Sequence, residues 1–151
     1  LVTSIRRYQL ARWRISRVYW RMQHWFWSLV TQCDIPLSTR IEGGLSLPHP
    51  QGIIIHPDTR IGPNCMILQQ VTIGETHASG VPCIGGGVDI GAGAKIIGPV
   101  VVGDHARIGA NAVVTRNVPA GSVARGVPAR VYDANGHWVS VDSPDPARIA
   151  S

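Results

Sequence analysis

The sequence predicts an all-β solenoid, a parallel β-helix of hexapeptide repeats behind a short α-helical segment. Three observations carry this. From Ile84 a branched aliphatic returns every six residues at Ile90, Ile96, Val102, Ile108 and Val114. A small or branched residue follows each after four places: Val88, Ala94, Val100, Ala106, Ala112 and Val118. Gly directly follows the aliphatic at Gly85, Gly91, Gly103 and Gly109. A helix has period 3.6 and a free strand period 2, so neither writes this pattern; stacked coils do.

Residues 5–31 contain no Gly or Pro and read as one helix within an N-terminal segment of residues 1–33. That segment holds six Arg and no acidic residue, interleaved with Trp13, Tyr19, Trp20, Trp25, Phe26 and Trp27. The remaining 118 residues hold eight Lys or Arg against nine Asp or Glu, so the net charge of +5 belongs to the first segment. The preferred reading is a cap on the open end of the solenoid, which would otherwise expose its core. The alternative is a basic, Trp-rich helix making peripheral membrane contact.

The solenoid is assigned to residues 34–130. Ile35, Ile41 and Leu47 open three hexads, a two-residue slip follows at Ile53-Ile54, and Ile55, Ile61, Ile67 and Ile73 resume the count. Thr59, Cys65 and Val71 occupy the small position. The spacing from Ile73 to Ile84 is eleven, which places a loop over roughly Glu75–Cys83. Three hexads make a triangular coil of about 18 residues, whose strands stack at about 4.8 Å. Residues 131–151, with Asp-Ala-Asn-Gly, Ser-Pro and Asp-Pro, read as a loosely ordered tail.

Cys33, Cys65 and Cys83 are odd in number and scattered, which favours free thiols in a reducing, cytoplasmic setting. No signal peptide and no apolar run of about 18 residues is expected. Nucleic-acid binding is disfavoured, because the charge cluster is one short helix without a base-reading motif.

Three stretches carry a resemblance. They are Asp34-Ile35 with Leu47-Pro48-His49-Pro50-Gln51-Gly52-Ile53-Ile54-Ile55, then Ile67–Gly74, then Gly91–Gly98 through to Gly126-Val127-Pro128-Ala129-Arg130. Spanning about residues 34–131, they resemble the hexapeptide-repeat acyltransferases, and most closely the serine acetyltransferase branch. The resemblance implies a left-handed β-helix, since the spacing alone does not set the hand. It implies acetyl-CoA as donor, bound between neighbouring subunits of a homotrimer. It implies His49 as general base and Asp34 as the carboxylate that orients it. A neutral imidazole removes an alcohol proton well near pH 7, and a carboxylate on its other nitrogen fixes the tautomer.

By family position Gly74, Ala92 and Ala110 should line the coenzyme slot, with Gly91 and Gly93 leaving backbone unobstructed. Arg107, Arg125 and Arg130 are the phosphate-contact candidates, with Lys95 a lesser one. No metal is expected.

The departures matter as much. In the family an Asp precedes the catalytic His, where this chain has Pro48. An Arg-His pair in the following loop helps hold the amino acid, where this chain has Gly80-Val81-Pro82. The long helical domain is reduced to the first segment. These losses point to a saccharide or other non-serine alcohol as acceptor, as in the small serine-acetyltransferase-like enzymes associated with surface polysaccharides. The alternative is a true serine O-acetyltransferase of cysteine biosynthesis. His56, His77 and Glu75 are turn or loop residues within reach of an acceptor.

Two rivals come from other classes. A zinc enzyme resembling the γ-type carbonic anhydrases would draw ligands from His49, His77 and His105, but the six His lack that family's paired spacing. A non-catalytic solenoid would use the Trp/Arg helix as an anchor.

Overall fold

The computed structural model describes residues 1–76 and 80–139. His77 and residues 140–151 of the expected tail lie outside them. The hexad count becomes a three-sided parallel coil. The first face stacks Arg40–Ile41, Arg60–Ile61, Cys83–Ile84 and Val101–Val102. The second runs from Met66–Ile67 through Asp89–Ile90 and Arg107–Ile108 to Val123–Arg125. The third stacks Ile54–Ile55, Thr72–Gly74, Lys95–Ile97 and Val113–Val114.

The interior is the predicted one. The aliphatic positions Ile55, Ile61, Ile67, Ile73, Ile84, Ile90, Ile96 and Val102 are at most 2% exposed. The small positions Val71, Val88, Ala94, Val100, Ala106 and Ala112 are sealed as well. Each face contributes only two or three residues to a strand, so every coil turns a corner almost at once. At the two corners that flank the second face, every coil has a residue with left-handed backbone. On the corner between the second and third faces these are Gly52, Gln70, Gly93 and Asn111, with φ of 61°, 60°, 72° and 56°. Gly and Asn are the residues that tolerate this region, and Gln70 is the exception.

Coil length varies only at corners. Ile54 lies beside Thr72 and Cys83 beside Val101, both the regular step of 18. Arg40 lies beside Arg60 and Ser46 beside Met66, a step of 20. The two extra residues of that coil fall between Ser46 and Ile54, so the slip read at Ile53-Ile54 is taken up by Pro48–Gly52. Thr72 lies beside Lys95, a step of 23, which puts the five-residue excess in the predicted loop after Gly74. The last coil is short: Arg107 lies beside Val123, a step of 16. There the Asn117 side chain accepts the Val101 N–H at 2.8 Å.

Two expectations need correction. The single helix over 5–31 is two, α1 (Val2–Leu10) and α2 (Arg14–Thr31). The chain is extended at Ala11 and Trp13, although no Gly or Pro marks the break. The gain that outweighs local propensity is burial: the turn lets α1 drive Ile5 into the solenoid core cluster. Gln9 fastens α1 to the first coil by donating to the Leu37 and Thr39 carbonyls at 2.9 and 3.1 Å. The cap is therefore α1.

The second correction concerns residues 131–139, read as loose tail. Arg130–Tyr132 and Trp138–Val139 add two antiparallel strands to the second face. Asp133 closes the turn between them, its carboxylate accepting from the Asn135 and His137 N–H groups at 2.9 and 2.8 Å. Those bonds hold its pKa below the usual carboxylate value. The Asp-Ala-Asn-Gly sequence that suggested a tail is the hairpin turn.

The α1–α2 junction contains one buried titratable ring. His24 Nδ1 is 3.2 Å from Ser4 Oγ, and its Nε2 is 3.4 Å from Ser28 Oγ. Burial pushes its pKa down, opposed by the Ile35 backbone. A His with a depressed folded pKa binds its proton more readily when unfolded, so stability falls as pH drops below the unfolded value of about 6.5. Above that pH the contribution is constant. Thermal melts from pH 7.5 to 5 should show Tm falling below about pH 6.5, and His24→Gln should flatten that slope. An unchanged slope would clear His24 of the effect.

Candidate functional site

His49 sits in the expanded first-coil corner between the second and third faces, in the stretch Pro48–Gly52. Its side chain is exposed. The corner beneath is Gln69-Gln70, then Gly91-Ala92-Gly93, then Gly109-Ala110-Asn111. Backbone bonds join them in a column: Gln70 N–H to Gln51 O at 2.8 Å, Gly93 N–H to Gln69 O at 2.9 Å, and Asn111 N–H to Ala92 O at 2.8 Å. His49, Ala92 and Ala110 therefore lie along one edge of the prism, which sequence numbers alone conceal.

Asp34 heads the third face. It pairs with Ile54, giving its N–H to Ile53 O at 2.8 Å and accepting the Ile55 N–H at 2.9 Å. Ile35 and Ile55 point inward, so Asp34 and Ile54 face out; Ile54 is 48% exposed. The partner one coil on is thus 20 residues away, not 18. Asp34 and His49 border the same edge, but among the described residues no ion pair joins His49 to a carboxylate.

The small residues divide in two. Ala92 and Ala110 share the His49 edge, whereas Gly74 stands at the far end of the third face, where the loop leaves. A Cβ added at Gly74 would meet only Ile97 Cδ1, at 4.0 Å, so nothing in its own chain demands glycine there. Gly91 is different. A Cβ there would stand 2.6 Å from Ala110 N, so its lack of a side chain is required by coil stacking and not by an open slot.

Arg107, Arg125 and Arg130 all project from the second face, beside the Ala92–Ala110 edge. Arg107 pairs loosely with Asp89, Nε to Oδ2 at 4.0 Å. Arg125 lies over the Tyr132 ring at 4.4 Å, a cation–π contact supplied by the hairpin. Arg130 is Arg125's cross-strand neighbour, and both are exposed. Two like charges paired across antiparallel strands repel, so an anion between them would be welcome. Lys95 does something else. Its Nζ donates to Gln70 O at 2.7 Å and Thr72 Oγ1 at 3.0 Å. It is a strut holding the left-handed Gln70 corner below His49.

One pairing went unassigned in the sequence. His56 Nε2 lies 3.6 Å from Glu75 Oε1, and its Nδ1 accepts the Asp58 N–H at 3.3 Å. With Nδ1 used as acceptor, the ring proton sits on Nε2 facing Glu75. The signal was available: His56 plus one coil of 18 is Gly74, the residue before Glu75. Among the described residues no three His, Cys, Asp or Glu side chains converge as a metal site. Cys65 is buried, donates to Gly85 O at 3.0 Å, and has its pKa raised by that burial, so it is structural.

A helix-capped, three-sided parallel coil with a histidine in an enlarged corner above a ladder of small residues has the architecture of the hexapeptide-repeat acyltransferases. No protein-family model matches the chain. It is 40% identical over 130 residues to the serine acetyltransferase of Escherichia coli K12, covering 74% of this chain and 48% of that protein. The Mycobacterium tuberculosis serine acetyltransferase is 36% identical over 130 residues, covering 82% and 57%. Among solved structures, soybean serine acetyltransferase complexed with serine superposes with a TM-score of 0.70 at 36% identity, covering 85% of this chain and 52% of that one. A serine acetyltransferase complex with CoA gives 0.68 at 37% identity, with 85% and 52% covered. The chain belongs to the serine acetyltransferase family, and its coil is the left-handed β-helix of that family. It spans about half the length of the curated relatives it matches.

The strut generates a prediction. Lys95→Met should cost about 1–3 kcal/mol, the loss of two bonds from a charged donor, measured by denaturant unfolding. Adding Gln70→Gly should recover about 1 kcal/mol by relieving the left-handed backbone. Unchanged stability in Lys95→Met would mean that Lys95 does not brace this corner.

Proposed function

We propose that the chain is an acetyl-CoA-dependent O-acetyltransferase of serine acetyltransferase type, with His49 as general base. The observation that carries this is the placement of His49 in the enlarged corner at the head of the Ala92–Ala110 edge, in a chain akin to solved serine acetyltransferases that include CoA and serine complexes. An acceptor hydroxyl would lose its proton to the imidazole as its oxygen attacks the thioester carbonyl. The C–O bond forms, the C–S bond breaks, and the thiolate leaving group takes the proton back from the imidazolium. Asp34, on the neighbouring coil, would stabilise that imidazolium once substrate draws the two together. Arg107, Arg125 and Arg130 would hold the coenzyme's phosphates beside the edge.

For the acceptor we favour L-serine, because the relatives and solved structures cited above are serine acetyltransferases. This reverses the weighting from sequence alone. A saccharide hydroxyl is the second reading, and specific residues support it: Pro48 and Gly80-Val81-Pro82 stand where the family carries Asp and Arg-His. A site that loses charged contacts to an ammonium or carboxylate discriminates less for a zwitterion. The separation of Gly74 from the His49 edge supports a trimer, in which one subunit's loop corner would face its neighbour's edge.

Acetyl-CoA consumption measured against L-serine and a saccharide panel decides the acceptor; turnover with serine and none with sugars supports the first reading. His49→Ala should lower kcat by about two to four orders of magnitude with acetyl-CoA affinity nearly intact. A near wild-type rate would remove the general-base role. Asp34→Asn should lower kcat while leaving acetyl-CoA binding unchanged, and an unaltered kcat would show that no dyad operates.

A further inference from the structure

The helix α2 is amphipathic the wrong way round for a helix packed on its own domain. With 3.6 residues per turn, Ile15, Val18, Met22, Trp25, Phe26 and Leu29 fall on one face, and each is between 48% and 86% exposed. The opposite face meets the protein through a mixed set, Ser16, Trp20, His24 and Ser28. His24 is the one buried residue of α2, bracketed by Ser4 and Ser28. Arg17 lies on that side too, its guanidinium 5.0 Å from the Tyr8 ring centroid. Arg14 and Arg21 run along one border of the apolar face, and Tyr19 and Val30, both more than half exposed, along the other.

From this we infer that α2 is a membrane-surface helix, seating its apolar face in a bilayer of anionic lipid. Charge selects the occupant. Residues 1–33 carry six Arg and no acid, while the rest of the chain is near neutral. A second copy of this segment would cover the apolar face but bring six more Arg and no countercharge. An anionic bilayer supplies both an apolar phase and phosphates at the depth of the bordering Arg side chains and Tyr19. No helix among the described residues is long and apolar enough to cross a membrane, so α2 lies in the interface plane. Its 18 residues are about 27 Å long, and the opposite face stays with the protein. Because α2 continues directly from the cap helix α1, this seat holds one end of the solenoid against the bilayer.

Flotation of the purified protein with vesicles tests this. Phosphatidylcholine vesicles are compared with phosphatidylcholine containing about a third phosphatidylserine, at low and high salt. Binding to the anionic vesicles, weakened by salt, is expected. Met22→Asp should lower the partition coefficient about tenfold or more. Arg14→Gln with Arg21→Gln should reduce binding to anionic vesicles only. Ile15→Gln is a milder second probe of the face, and circular dichroism checks that each variant folds. Absence of wild-type binding to anionic vesicles overturns the inference. So does a wild-type assembly whose mass, by light scattering, falls on Met22→Asp while vesicle binding is unchanged; a second copy would then cover the face. Acetyl transfer by the Met22→Asp variant in solution should match wild type, so failure here leaves the catalytic reading intact.

Discussion

Everything in this protein depends on backbone groups of one coil finding those of the next. Each face offers strands of two or three residues, too short to stand alone, and the ladder bonds run almost wholly between coils. A buried amide without a partner is costly, so the coil must close in register at every face. That requirement dictates the interior, where an aliphatic and a small residue alternate in depth. It also confines every irregularity to a corner. The expanded turn bearing His49, the loop after Gly74 and the shortened turn sealed by Asn117 are three outcomes of the same constraint.

The constraint also explains how distant residues meet. His49, Ala92 and Ala110 are separated by tens of residues yet lie along one edge, because the column of corner bonds threads Gln51, Gln70, Gly93 and Asn111. The edge is rigid, since its turns are set by left-handed residues and braced by Lys95. The proposed general-base role of His49 would draw on that rigidity, because a base misplaced by an ångström loses much of its effect. The longer loop corner, with the His56–Glu75 pair at its root, is where the proposed acceptor would approach.

Much of this was legible in the sequence. The six-residue count named the interior positions from Ile55 to Val118, and the eleven-residue gap located the loop. But Ile53, read as part of a slip, is fully buried, and Ile41 and Leu47 only partly so. What stayed hidden has physical causes. The break at Ala11–Trp13 has no local signal; it is set by the burial of Ile5, a tertiary gain. The hairpin after Arg130 looked like a tail because its turn sequence, Asp-Ala-Asn-Gly, is also what a loose terminus contains. The position of Asp34 was missed by two residues, since the first coil exceeds the regular 18 and its surplus falls between Ser46 and Ile54. The His56–Glu75 pair needed only the coil arithmetic, but neither residue carried a motif. The reversed polarity of α2 was invisible, because composition does not say which side of a helix meets the protein.

The five-residue excess after Gly74 has a consequence for how such a protein can change. An insertion within a face would swap inward for outward side chains along the whole strand, and the coil would come apart. An insertion at the loop corner costs only slowly growing closure entropy. The chain resumes its count at Cys83 as though nothing had intervened. On the proposed reading, acceptor preference would therefore be exchanged at this corner as an interchangeable cassette, while the Ala92–Ala110 edge is inherited untouched.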